Sequence, residues 1–157
     1  GAGIQTIFEV GDVQGFQGAV RAGLGVEVEI ATGEGPSYEV TTRLSGVLRP
    51  MRAHELSDGT LRYIALLAAL YAPRPAPLIV LNEPEASLHP ALLEPLARAI
   101  VDASRQTQVW VVSHSPAIAR IAREHDRQRV CDVELVKSPD GATQIRDQSV
   151  LDRPAWP

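Results

Sequence analysis

The chain has 157 residues, enough for one domain with a substantial core, and its 45% hydrophobic and 22% charged residues give the balance of a soluble globular protein. No apolar run approaches the roughly 20 residues that a membrane helix requires, so no spanning helix is expected. The net charge of -4 provides no bulk field for nucleic acid; since 14 of the 15 basic residues are arginine, a local basic patch is the electrostatic route left open.

Residues 1–25 are rich in glycine and show little period, apart from one short helix expected over Val13–Leu24. Val26-Glu27-Val28-Glu29-Ile30 alternates apolar and acidic residues, the pattern of a half-buried strand. Gly33-Glu34-Gly35-Pro36 is a turn cluster, and Tyr38–Leu44 reads as the returning strand. Residues 1–50 are therefore expected to form an antiparallel β-hairpin lobe with a short helix.

The character changes after Pro50. Leu61, Ile64, Leu67 or Ala68, and Tyr71 recur at helical spacing, which predicts an apolar-faced helix over Thr60–Tyr71. Ala72-Pro73-Arg74-Pro75-Ala76-Pro77 ends it, because proline cannot continue a helix. Leu78-Ile79-Val80-Leu81 is a continuous apolar run, as in a strand buried on both faces. Pro90–Ser104 predicts a second helix, with Pro90 in its first turn and Pro95 bending its interior. Val109-Trp110-Val111-Val112 predicts a second buried strand, with Trp110 in the core. Ser115-Pro116 reads as the cap and first position of a third helix, ending near Arg123. Strand, crossover helix and strand give a βαβ unit and a parallel sheet with flanking helices. Val130–Lys137, a turn at Ser138-Pro139-Asp140-Gly141, and Thr143–Asp147 form a closing hairpin. Residues 51–150 thus make an α/β domain, and residues 151–157, with Trp156, a loose tail. The lone Cys131 excludes an internal disulfide framework, and Gly1-Ala2-Gly3 opens without a secretory pattern, so the expected location is cytoplasmic.

The residues with chemistry gather at strand ends and one helix start. The first apolar strand runs into Asn82-Glu83, and in an open α/β sheet ligands lie beyond the carboxyl ends of the strands. A carboxylate at Glu83 can polarise a water that attacks a phosphoryl group. The second strand ends in Ser113-His114-Ser115, which puts the His114 imidazole on the same edge. Glu55-Leu56-Ser57-Asp58-Gly59-Thr60 precedes the first clear helix. Ser57 is a natural N-cap and Gly59 allows close backbone approach, and free N–H groups at a helix start attract phosphate. Each segment also has a plain structural reading, as a strand-end acid, a satisfied histidine or an ordinary cap. Glu94 and Arg98 read as a solvated pair, Lys137 and Cys131 as structural residues. The spacing of His54, His89, His114 and Cys131 matches no metal-ligand pattern.

In combination these segments resemble the C-terminal half of an ATP-binding-cassette ATPase. Leu56-Ser57-Asp58-Gly59-Thr60 resembles the signature motif, Leu78 to Glu83 the Walker B strand with its catalytic glutamate, Ala86-Ser87-Leu88-His89-Pro90 the D-loop, and Val112-Ser113-His114 the switch-histidine strand. Asn-Glu-Pro-Glu and Ser-Asp-Gly-Thr point to the predicted ATPases related to RecF, the structural-maintenance-of-chromosomes (SMC) proteins and the OLD nucleases, more than to transport cassettes. The resemblance implies a P-loop NTPase fold. Asn82 replaces the usual aspartate, so magnesium meets an amide oxygen without negative charge. Asp58 and Thr60 replace a glycine and a glutamine of the signature, and His89 an aspartate of the D-loop.

No G-x-x-x-x-G-K-[ST] loop occurs, and the single lysine, Lys137, has no glycine loop before it. The family carries that loop N-terminal to these motifs, so the chain is expected to be a fragment or one half of a split ATPase that holds little ATP by itself. By resemblance, the complete protein binds ATP and Mg2+ and works as a head-to-tail dimer, in which the Walker A half of one subunit meets the signature of another. Ser57, Asp58, Gly59, Ser87 and His89 would contact the nucleotide, Asn82 the metal, and Glu83 and His114 would act in hydrolysis. The alternatives are a non-catalytic dimerisation or partner-docking module derived from such an ATPase, and a repair factor whose ATPase gates DNA contact.

Overall fold

The computed structural model describes residues 2–32, 38–44, 46, 47 and 49–146. It opens with helices α1 (Ala2–Val10) and α2 (Val13–Leu24), followed by strands β1 (Val26–Thr32), β2 (Tyr38–Leu44) and β3 (Met51–Arg52). Helix α3 (Asp58–Leu70) leads to β4 (Leu78–Asn82), α4 (Leu93–Ala103), β5 (Gln108–Val112) and α5 (Pro116–His125). Strands β6 (Leu135–Lys137) and β7 (Thr143–Ile145) come last. Short 3-10 turns at Ala53–Glu55 and Pro90–Leu92 precede α3 and α4.

The parallel sheet of the sequence reading is present, with β4 pairing β5 from Leu78↔Gln108 to Asn82↔Val112. Helix α4 forms the crossover. The expected hairpin also forms, β1 pairing β2 antiparallel from Val26↔Leu44 to Thr32↔Tyr38, and β3 adds a third strand. The Gly33–Pro36 turn lies outside the described residues, as do residues 151–157.

Three expectations need correction. Helix α1 was not foreseen, so residues 2–24 form two helices ahead of the hairpin, and α2 has the expected limits. Ile4 and Ile7 bury on the inner side of α1, and Asp12 accepts the Gly15 N–H at 2.8 Å to start α2. Pro95 lies in the first turn of α4, where no backbone donor is needed, because Pro90–Leu92 is a separate 3-10 turn. The parallel strands are buried on one face only. Ile79, Leu81, Val109 and Val111 pack toward the core. On the other face Trp110 is 59% exposed, Val80 57% and Val112 52%. Trp110 is therefore a surface residue. The apolar run reflects a need for two covered faces, and one cover is absent among the described residues.

One buried cluster joins the parts on either side of Pro50. It includes Ile7 of α1, Phe16 and Val20 of α2, Val28 of β1, Tyr63 and Leu67 of α3, Leu81 of β4 and Leu96 of α4. The buried Tyr63 hydroxyl donates to Ala19 O at 3.0 Å, which satisfies its polar end, and burial raises its pKa. Gln17 clasps the Val28 main chain, donating to its carbonyl at 2.6 Å and accepting its N–H at 3.1 Å. This core fixes α3 against β4, and so fixes the helix start relative to the strand end that carry the candidate site.

Candidate nucleotide site

Strand β4 delivers Glu83, and β5 delivers His114, to the same edge of the sheet. The Glu83 N–H donates to Val112 O at 2.7 Å, continuing the strand pairing one residue past β4. The His114 Nε2 then lies 3.3 Å from Glu83 Oε1, with the imidazole 88% exposed. An acid and an imidazole thus meet at an open rim, where a phosphate and a water can reach both.

The main chain turns sharply at Glu83, whose φ is +44°. A non-glycine residue in that region costs about 1–3 kcal/mol and needs external restraint. The restraint is visible. The Glu83 carbonyl accepts the Ala86 N–H at 3.0 Å and Arg62 Nη2 at 3.0 Å. Pro84 is fully buried and pins the next residue. Arg62 belongs to α3, so the helix that Ser57 caps also holds the turn of Glu83.

Ser57 is exposed and caps α3, its Oγ accepting the Thr60 N–H at 3.2 Å. Asp58 occupies the first helical position, and its acid complements the helix dipole when no anion is bound. Gly59 sits against the loop after β4. A Cβ placed on it would come within 2.8 Å of the Ser87 carbonyl oxygen. Ser87 itself has a φ of +65°. The start of α3 and the loop after β4 are therefore in contact.

His89 is exposed and caps the Pro90–Leu92 turn through Nδ1, which accepts the Ala91 N–H at 3.2 Å. Asn82 ends β4 opposite Val112 and is exposed on the uncovered face. Among the described residues no three His, Cys, Asp or Glu side chains gather as a metal site. Asn82 offers one uncharged amide oxygen at the end of β4, which can accept a hydrogen bond from a water held by magnesium.

The sequence reading gave no role to Arg62 or Glu85. Glu85 Oε1 accepts the Ser113 hydroxyl at 2.5 Å and the His114 N–H at 3.1 Å. Burial pushes its carboxyl pKa up, but the Ser113 hydroxyl and the N–H groups of Glu85, His114 and Ser115 outweigh this and hold it below the usual carboxylate range.

Residues 2–120 match the family model described as "AAA domain, putative AbiEii toxin, Type IV TA system". The chain belongs to this AAA-domain family. It is also 36% identical over 87 residues to the tungstate uptake system ATP-binding protein TupC of Peptoclostridium acidaminophilum, a match that covers 54% of the chain and 36% of TupC. The chain thus spans about a third of that relative. Its fold resembles a structure from a study of ATP-driven dimerization and DNA-stimulated activation of SMC ATPases, with a TM-score of 0.65, 18% identity, and 95% of this chain and 89% of that one covered. The SMC head domain of Thermotoga maritima is similar at a TM-score of 0.57 and 20% identity, over 88% of this chain and 47% of that one. At these identities the likeness establishes the fold of a P-loop NTPase head. The match to TupC shows that this one ATP-binding protein of an uptake system shares sequence with part of the chain. No helix among the described residues is long and apolar enough to cross a membrane.

Proposed function

We propose that this chain supplies the hydrolytic rim and the signature of an ATPase whose phosphate-binding loop comes from another segment or subunit. The observation that carries this reading is the approach of Glu83 and His114, 3.3 Å apart at the end of adjacent parallel strands. Glu83 would accept a proton from, and orient, the water that attacks the terminal phosphoryl group. His114, exposed beside it, would donate to a γ-phosphate oxygen. Holding water and phosphate in one geometry is the main contribution such a site makes, because phosphoryl transfer asks the protein for position and charge more than for covalent chemistry.

Ser57 and the N–H groups at the start of α3 would meet the γ-phosphate of a nucleotide bound by a second subunit, in a head-to-tail dimer. Asp58, Ser87 and His89 lie in the same two segments and would border that nucleotide. Asn82 would hold the magnesium ion through water, and the ion would neutralise phosphate charge. The uncovered face of β4 and β5 suits the missing half of the ATPase. Its apolar residues, Trp110 and Val80 above all, need a partner that shields them from water.

A specific observation also favours a non-catalytic docking module. Asn82 brings no charge to the metal position, and the uncovered face alone would bind a partner. ATP turnover by this chain together with a P-loop-bearing half separates the two. Glu83→Gln should lower turnover by about 100-fold or more while nucleotide binding persists, as expected for loss of a general base. Wild-type turnover by Glu83→Gln overturns the hydrolytic reading.

A further inference from the structure

Glu85 sits where the two loops of the rim cross. One loop, from Glu83 to Leu88, leaves β4. The other, Ser113 to Ser115, leaves β5. A single oxygen, Glu85 Oε1, takes the Ser113 hydroxyl at 2.5 Å and the His114 N–H at 3.1 Å. Ser113 Oγ in turn accepts the Ser115 N–H at 2.9 Å. Hydrogen bonds to an ionised acceptor are short and about twice as strong as neutral ones, so this fork is a stiff joint on an otherwise exposed edge.

The second oxygen, Oε2, is buried and has no donor among the described residues. The joint acts on His114 through its backbone N–H, while the imidazole approaches Glu83.

We propose that Glu85 is a positioning residue, whose carboxylate ties the loop of Glu83 to the loop of His114 and so sets the separation of the two rim groups. This rests on the reading of Glu83 and His114 as the hydrolytic pair. It adds a third residue that touches neither water nor phosphate. Its expected signature is a fall in kcat with little change in KM for ATP, because the geometry it holds matters in the transition state more than in binding.

The test has two arms. In this chain, amide exchange measured by NMR reads the joint without nucleotide. Glu85→Ala should speed exchange at His114 and Ser115 by about tenfold, the scale of one lost charge-assisted hydrogen bond, with Tyr63 and Leu67 of the core as protected as before. Glu85→Gln keeps an acceptor oxygen and should stay within about threefold of wild type. In the ATPase assembled with its P-loop half, Glu85→Ala should lower kcat about tenfold, and Glu85→Gln should recover most of it. Unchanged exchange at His114 in Glu85→Ala overturns the proposal. So does faster exchange of the core amides in step with it, which makes Glu85 a structural staple. Should Glu85→Ala not fold, Ser113→Ala removes the hydroxyl arm of the joint and leaves the His114 N–H bond, so a smaller rise in exchange at His114 is expected, and none at all overturns the proposal. Glu83→Gln run in parallel keeps the two readings apart: if it retains turnover the hydrolytic assignment fails, while the exchange arm still decides whether Glu85 holds His114.

Discussion

Arg62, in the second turn of the helix that Ser57 caps, donates from Nη2 to the main-chain carbonyl of Glu83 at 3.0 Å. One side chain thus joins the helix start proposed to face a neighbour's nucleotide to the residue proposed to act on the chain's own. It holds Glu83 by its backbone, leaving the carboxylate free to approach His114. A shift of α3 would therefore be felt directly in the turn at Glu83.

Arg62→Ala should separate positioning from stability. Arg62 is exposed, so its removal should move the melting temperature by no more than about 2–4 °C. The strained Glu83 turn loses one of its two carbonyl partners, and turnover by the assembled ATPase should drop by about tenfold. Arg62→Lys retains a donor on a flexible stem and should restore part of it. Calorimetry paired with steady-state kinetics checks this, and equal losses of stability and turnover would refute it.

Gly59→Ala tests the contact between the start of α3 and the loop after β4. The added Cβ would press on the Ser87 carbonyl at 2.8 Å, and that oxygen is backbone in a residue whose φ is already +65°. Overpacking of this kind typically costs about 1–3 kcal/mol. Chemical denaturation should report a loss in that range, with Gly3→Ala as a control, since nothing lies within 4 Å of a Cβ there. A neutral Gly59→Ala would mean that the loop after β4 yields easily.

Much of this arrangement was legible from local signals. Ser57 and the proline run after Tyr71 punctuate α3, and the apolar runs at Leu78 and Val109 fall on β4 and β5. Helix α1 escaped notice because Gly1, Gly3 and Gly11 dilute a short pattern, although Ile4 and Ile7 stand at helical spacing and are its buried residues. Trp110 was misplaced for a different reason. Hydrophobicity records that a face wants cover, and cannot record that the cover is not among the described residues. Glu85 and Arg62 were invisible, since their partners lie 28 and 21 residues away and become neighbours only when β5 and α3 dock on β4. The strand-end position of Glu83 and His114, by contrast, follows from βαβ topology alone.

The uncovered face makes Trp110 a reporter of assembly. In this chain its emission should be that of a wet indole, read in a Trp156→Phe background that removes the other tryptophan. Adding the P-loop half should shift the emission to shorter wavelength and shield it from iodide. Trp110→Ser should weaken that association by about 2 kcal/mol or more, the loss typical of an aromatic anchor. If Trp110 stays equally quenchable in an assembled, active ATPase, the missing half docks elsewhere.

The approach to Ser57 carries its own pH dependence. Glu55 closes the turn before α3, and Arg49 grips its carboxylate at 2.6 and 2.9 Å while the Arg52 N–H donates at 2.8 Å. These hydrogen bonds, with the Arg49 side chain first, lower its pKa to about 2 from the ordinary 4.5. The folded state therefore prefers the ionised form. Its stabilising contribution is complete above pH 4.5, declines as the unfolded chain begins to protonate below that, and is lost as pH falls through about 2. Arg49→Ala should return the Glu55 pKa most of the way to the ordinary value, visible in the carboxyl carbon shift by NMR, and should loosen the Ala53–Glu55 turn at pH 4 before it does so at pH 7. Because Arg49 and Glu55 are at the surface, about 0.1 M salt should narrow the difference between variant and wild type. An unshifted Glu55 titration in Arg49→Ala would assign its low pKa to the Arg52 N–H alone.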